Sequence, residues 1–146
     1  MSRSPGRWRS EQGSVTLWGI GLTLVLFGFA GVVVDAWRAF AVRQDLAGMA
    51  DSAAAAGATA LDEDAYRATG AVVLDPGTAQ SRAAEYLGRQ EGFDGTIAVA
   101  IEATPENVAV TLEQDVHFTI LSGFLEGEEP LRVGVTGLAV PSDPAG

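Results

Sequence analysis

From Val15 to Val34 the chain reads VTLWGIGLTLVLFGFAGVVV, an unbroken run of twenty residues without a charged side chain. A helix rises ~1.5 Å per residue, so this run is about 30 Å long, the thickness of a bilayer's hydrocarbon core. A secretory signal would have a shorter apolar stretch, roughly 7 to 15 residues, with a small-x-small cleavage site before a polar mature chain. Here Asp35, Trp37, Arg38 and Phe40 follow instead. A helix apolar on every face could also be the core of a soluble protein, but what remains of a 146-residue chain is too small to wrap it. The run, including Val15, Leu17, Trp18, Leu24, Phe27 and Val34, is therefore expected to cross a membrane.

The flanking charges suggest an orientation. Arg3, Arg7 and Arg9 precede the run with Glu11, whereas Arg38 and Arg43 follow it together with Asp35, Asp45 and Asp51. Counting basic residues alone, three against two favours a cytoplasmic N-terminus. Residues 60–146 carry 15 acids and 4 Arg, a balance of −11 that an anionic inner leaflet would repel, so this part is expected outside the cell membrane.

Charge and composition also exclude chemistries. With a net charge of −10 and no lysine, the chain lacks the basic surface that nucleic-acid binding requires, and no lysine-containing phosphate loop can exist. Without cysteine there is no disulfide, thiolate metal site or thiol nucleophile. His117 is the single histidine, placed by alternation on the face opposite Val116 and Phe118, and no serine lies in a nucleophile elbow. The reading is of no enzyme, no cofactor and no metal.

No proline occurs between Pro5 and Pro76, and the sequence after Asp35 is dominated by Ala with Arg, Gln, Leu and Met, all good helix formers. The spanning helix is thus expected to continue at least to the Gly57 region. Trp37 and Phe40 fall near the water interface, where amphipathic rings fit, and Asp35 and Arg38 lie three apart. From Ala47 to Ala60 almost every residue is Ala, Gly, Ser or Thr, small enough to let another helix or a sheet approach the backbone. A plain stiff stalk is the alternative for this stretch. Glycines four apart are absent from the span, so no dimer seam is assigned there.

Gln12-Gly13-Ser14-Val15, the apolar span, Val34-Asp35-Ala36-Trp37-Arg38-Ala39-Phe40, and then Arg43-Gln44-Asp45-Leu46-Ala47-Gly48-Met49-Ala50-Asp51-Ser52-Ala53-Ala54-Ala55-Ala56-Gly57-Ala58 together resemble the N-terminal region of the TadE/TadG-like Flp (Tad) pilus-assembly proteins. The resemblance covers about residues 12–60, with Asp35, Arg38, Leu46, Ala50, Asp51, Ala54 and Gly57 as its helix-packing positions. It implies a bacterial inner-membrane component of a tight-adherence pilus or related secretion system, partnered by other pilin-like membrane proteins and, for processing, by a prepilin peptidase. Processed pseudopilins of this system are cut after a Gly and carry a Glu five residues into the mature chain. Here the candidate cut lies between Gly13 and Ser14, and the fifth position is Trp18, so the carboxylate that registers neighbouring subunits is missing.

Beyond the helix the pattern changes. Asp62-Glu63-Asp64 beside Tyr66 and Arg67 reads as an acidic first turn or a solvated loop rather than a cation site. Ala71 to Leu74 forms a short strand or loop, Asp75-Pro76-Gly77 a turn, and Pro76 opens a helix to about Gln90 whose weak apolar face includes Ala79, Ala83, Tyr86 and Leu87. After Gly95 the period becomes two: Ile97, Val99 and Ile101 on one face, a turn at Thr104 to Asn107, then Val108, Val110, Leu112, Val116 and Phe118. Leu131, Val133 and Val135 supply a third strand after a loop containing Gly123 and the acidic Glu126 to Glu129. Val116 to Leu121 and Leu131 to Thr136 also resemble, more loosely, the C-terminal β part of TadE-like proteins.

The expected class is α+β: a cytoplasmic segment 1–14, a transmembrane helix 15–34, its continuation 35–60, an extracytoplasmic domain 61–140 with a helix on a three- or four-stranded antiparallel sheet in pilin-like fashion, and a frayed tail 141–146. Two functions fit it. One is a minor, pseudopilin-like assembly component; the other is an anchored binding module whose helix is only a tether.

Overall fold

A computed structural model describes residues 12–118 and 129–142. The expectations that fall on Arg3, Arg7, Arg9, Glu11, the stretch 119–128 and the tail 143–146 lie outside the described residues.

Helix α1, Gln12–Gly57, is a single continuous element of 46 residues. At ~1.5 Å per residue it is about 69 Å long, more than twice a bilayer's hydrocarbon thickness. Its end is built by specific contacts. Ala58 N–H donates to Ala54 C=O at 2.9 Å and Ala60 N–H to Gly57 C=O at 3.0 Å, while Thr59 Oγ1 donates to Ala56 C=O at 2.7 Å. Arg82 then donates through Nη1 to Thr59 C=O at 2.9 Å, placing a cation where the helix dipole is negative.

Two shorter helices follow, each opened by an aspartate. Asp62 caps α2, Glu63–Thr69, accepting from Asp64 N–H at 3.0 Å and Ala65 N–H at 2.9 Å. The acidic cluster is thus the cap and first turn of a helix, with Glu63 and Asp64 both paired to Arg67. Asp75 caps α3, Pro76–Gly88, accepting from Thr78 N–H at 2.9 Å, with Pro76 in the first turn, where its missing N–H costs nothing. The helix stops two residues short of Gln90, as Arg89 and Gln90 N–H groups turn back on Tyr86 and Leu87. Between the helices the chain is pinned by Asp62 N–H to Val73 C=O and Asp75 N–H to Ala60 C=O, around a bridge pairing Leu61 with Leu74.

The sheet is an antiparallel meander in the order β1-β2-β3: β1 Ala98–Ala103, β2 Val108–Val116 and β3 Leu131–Ala139. The β1–β2 turn is held by Thr104, whose Oγ1 accepts from Asn107 N–H at 3.0 Å while its own N–H reaches Asn107 C=O at 2.8 Å. Leu74 N–H donates to Pro105 C=O, tying the segment before α3 to this turn. Ahead of β1, Asp94 Oδ1 accepts from Thr96 Oγ1 at 2.5 Å and Thr96 N–H at 2.9 Å.

The C-terminal part of α1 and all of α3 lie on one face of this sheet, and the core forms between them. Ala50, Ala53 and Ala54 from α1, Ala79, Ala83 and Leu87 from α3, and Val108, Val110 and Leu112 from β2 are essentially inaccessible. The small side chains explain the closeness. A Cβ built on Gly57 would lie 2.9 Å from Ala79 O and 3.1 Å from Val108 Cγ1. One built on Gly137 of β3 would lie 2.4 Å from the carbonyl carbon of Ala50 and 2.5 Å from Asp51 N. Here helix backbone rests directly on strand backbone.

The alternation expected for the hairpin holds along β2 but weakens on β1. Val99, expected on the buried face with Ile97 and Ile101, is 40% exposed. Strand β1 is an edge strand, paired on one side only, by β2. His117 is exposed just after β2, and Phe118 is half-buried.

Candidate functional site

The chemistry a chain can perform depends on what its fold brings together. Among the described residues no group of three or more His, Cys, Asp or Glu could hold a metal ion. The solvent-facing His117 has neither cysteine nor a second histidine to join it. The features that remain are the apolar helix and its junction with the folded head.

Along residues 14–34 the helix presents apolar side chains in all directions. Trp18 and Phe27 are each 75% exposed, and Val15, Leu17, Leu24 and Val34 are exposed as well. The helix Ser14–Gly57 is long and apolar enough to cross a membrane, with a mean hydropathy of 2.3 over an 18-residue stretch. Thr23 fits such a setting because its hydroxyl donates to Gly19 C=O at 2.8 Å, which satisfies that donor within the helix. Ser14 begins this exposed surface, directly after Gly13.

At the end of the apolar run the surroundings change. Gly31 is buried and Asp35, one turn on, is 2% exposed, the one buried charged side chain among the described residues. Asp35 and Arg38 both have interaction partners, and no buried side-chain polar atom among the described residues lacks one. A buried carboxylate is tolerated only when its charge or hydrogen-bonding capacity is answered. Trp37 and Phe40 project outward in a tilted pair with ring centroids 6.4 Å apart.

Past this collar, the packing positions named from the sequence divide by face. Leu46, Ala50, Ala54 and Gly57 are buried, whereas Arg38 and Asp51 are exposed. The buried set meets β2, β3 and α3 of the same chain, so the small-residue face of residues 46–57 is occupied within the molecule.

Sequence reasoning missed a groove of ≈ 370 Å³ at this junction, lined by Ala39, Phe40 and Arg43 of α1 and by Leu131 to Gly134 of β3. It also missed Gly137 as the point of closest helix–sheet approach. A glycine inside a strand is itself a sign of such an approach, and Gly134 and Gly137 both offered it.

The fold and junction define a protein with one long helix whose apolar N-terminal segment runs unbroken into the core of a small α+β head. Residues 13–60, about a third of the chain, match the family described as putative Flp pilus-assembly TadE/G-like. The matched stretch covers the apolar span, Asp35 and the small-residue face that packs on the sheet. Neither a curated protein nor a solved structure matches the chain.

Proposed function

We propose that this protein is a membrane-anchored structural component in the assembly of a Flp-type pilus or a related secretion machine, acting as a minor, pseudopilin-like subunit of the bacterial inner membrane. In this reading residues 15–34 cross the bilayer with the N-terminus in the cytoplasm and the acidic head outside. The observation that carries it is the coincidence of three things on one helix: the family match, an exposed apolar span, and continuity into the core of the head. A protein that only needed a tether could join span and head by a flexible linker. Here a tilt or rotation of the span is a tilt or rotation of the head, which suits a subunit that must be positioned by its neighbours in the membrane. The absence of a carboxylate at position 18 fits an accessory role, in which registration comes from contacts other than an acid–amine pair. Catalysis has no part in this function.

The test replaces residues 15–34 by an unrelated Leu/Ala span of equal length, leaving the head and residues 35–60 intact, and scores surface pili in the native host. Loss of pili with normal membrane insertion is expected. Undiminished pili would show that the span is only a tether and would favour the anchored binding module. The intact mass of the native protein reports processing: loss of residues 1–13 marks a cut between Gly13 and Ser14 by a prepilin-type peptidase and entry into the filament, whereas retention marks a permanently anchored assembly factor.

A further inference from the structure

We infer that the free edge of β3 receives an extended, basic segment of a different protein as a fourth strand of the sheet. The pairing pattern fixes which groups that edge offers. Thr104 N–H reaches Asn107 C=O at 2.8 Å, and from there hydrogen-bonded pairs recur every second residue, at Glu102 with Ala109, Ala100 with Thr111 and Ala98 with Glu113. Val108, Val110, Leu112 and Gln114 therefore turn their backbone groups to β3, where they meet Ala139, Gly137, Val135 and Val133. The N–H and C=O groups of Gly134, Thr136 and Leu138 are left pointing away from the sheet. These three lie toward the end of β3 that pairs with the start of β2, away from the connection between the two strands.

The two edges of the sheet differ. On β1 the same alternation aims Ile101 C=O outward, and Gln80 of α3 donates its Nε2 to it at 2.9 Å. Strand β1 is also short, at six residues, and carries Glu102. Strand β3 has none of these protections. All nine of its residues pair with β2 without a bulge, it contains no proline, and its one charged side chain, Arg132, is engaged by Asp115. Leu138 is 65% exposed and Val140, just past the strand, 64%. A long, regular, apolar edge of this kind either aggregates or is covered by a strand from elsewhere.

Charge and direction name the occupant. A Cβ built on Gly134 would have Glu113 Cγ at 3.5 Å and Oε1 at 3.7 Å, so on the outer face that carboxylate lies over the glycine, beside the edge. On the helix side the exposed Asp51 follows Ala50, whose backbone rests on Gly137. Among the described residues neither acid has an ion pair, and residues 60–146 carry a balance of −11. Lys or Arg at alternate positions thus favours an incoming strand. Direction argues against a second copy. Ala39 to Arg43 border Leu131 to Gly134 and Ala50 rests on Gly137, so α1 and β3 run the same way. Antiparallel pairing of two β3 strands would turn one α1 away from the bilayer that anchors the other, and Gln80 closes the β1 edge. Only this argument against a second copy rests on the membrane-spanning reading; the open edge does not.

The full chain in neutral detergent micelles is titrated with a labelled nonapeptide of alternating Lys and Val, read by fluorescence anisotropy, with a Glu/Val nonapeptide as control. The Lys/Val peptide is expected to bind and to slow hydrogen exchange at Gly134, Thr136 and Leu138. An exposed charge pair contributes up to about fivefold, so the Glu/Val peptide should bind about tenfold more weakly, and D51N/E113Q should narrow that gap to about twofold. T136P removes one outward N–H and spares the ladder to β2, since proline is tolerated on a strand edge; it should weaken binding about tenfold, whereas T136V, which loses only the hydroxyl, should not. N-methylation of the peptide leaves the protein untouched. Methylating the Lys amides or the Val amides should abolish binding in one case and spare it in the other, because a strand added to an edge bonds on one side only. No binding by the Lys/Val peptide, equal affinity for both peptides, full binding by T136P, or equal loss from both methylated peptides would overturn the proposal. So would a disulfide dimer formed in the native membrane by T136C, whose thiol is the only one in the chain, since it would give the edge to a second copy. The titration needs no pilus and no bilayer, so its failure is distinct from a failure of the span-exchange test.

Discussion

Replacing Gly137 by alanine should separate the helix from the sheet and destabilise the head more than the same change at Gly57 or Gly134. The added Cβ would stand 2.4 Å from the carbonyl carbon of Ala50, 2.5 Å from its oxygen and 2.5 Å from Asp51 N. Carbon atoms rest at ~3.5–4.0 Å, so relief requires a shift of at least about 1 Å. None of the three atoms belongs to a side chain that could rotate aside; all are backbone in the C-terminal part of α1, so that part of the helix must lift as a unit. Such a lift loosens Leu46, Ala50, Ala53 and Ala54 together. Overpacking commonly costs ~1–3 kcal/mol, and with rigid backbone on both sides the expected cost is at the upper end, about 3 kcal/mol. Gly134, on the same strand, is the control. A Cβ there would first meet Glu113 Cγ at 3.5 Å, an ordinary contact with a flexible side chain, so G134A should stay within about 0.5 kcal/mol of wild type. Pulse proteolysis of the full chain across a urea series in neutral micelles reads the folded fraction of each. If G137A and G134A unfold at the same urea concentration, the direct backbone contact between α1 and β3 is wrong.

Caps on the two short helices should behave differently although both are aspartates. D75A should lower global stability by about 1 kcal/mol, because α3 contributes Ala79, Ala83 and Leu87 to the core, whereas D62A should leave the urea midpoint in place and speed hydrogen exchange only around residues 63–69, since α2 buries nothing. Asp94 should contribute to acid stability: the Thr96 hydroxyl, then the Thr96 N–H, stabilise its carboxylate and hold its pKa below the ordinary 3.8. A depressed native pKa adds stability that is complete above the unfolded pKa and is lost as pH falls through the native value. The difference between wild type and T96V, followed by urea midpoints from pH 6 to pH 2, should therefore shrink on the acid side of about pH 4. A difference that grows in acid would refute this account.

Much of the architecture was legible in local pattern. The apolar run at 15–34, the lack of proline up to Pro76, the Asp-Pro start of α3 and the two-residue alternation of β2 and β3 each report a property that one segment expresses by itself. Backbone geometry translates such periodicities directly into helix or strand. Asp75 could be read as a turn because its neighbour Pro76 fixes a dihedral wherever it stands.

Other properties had no local signature. A run such as Ala53-Ala54-Ala55-Ala56 is equally small on every side, so the sequence could not say which face would be covered or whether a neighbour or the chain's own sheet would cover it. Only the tertiary structure placed Ala50 against Gly137 and Gly57 against Ala79, since those contacts depend on how a helix and strands distant in sequence cross. Val99 has the same chemistry as Val110 but lies on an edge strand, and strand order is not written in either residue's neighbours. Asp35 was visible as a charge at the end of the span; its burial was not. Arg132 meets Asp115 solely because β3 runs antiparallel to β2 in the register that sets them opposite one another. What the sequence determined by itself is the span, the kinds of element and the sign of the charge; the covered faces and the residues that meet were decided by long-range packing, whose close contacts admit few arrangements.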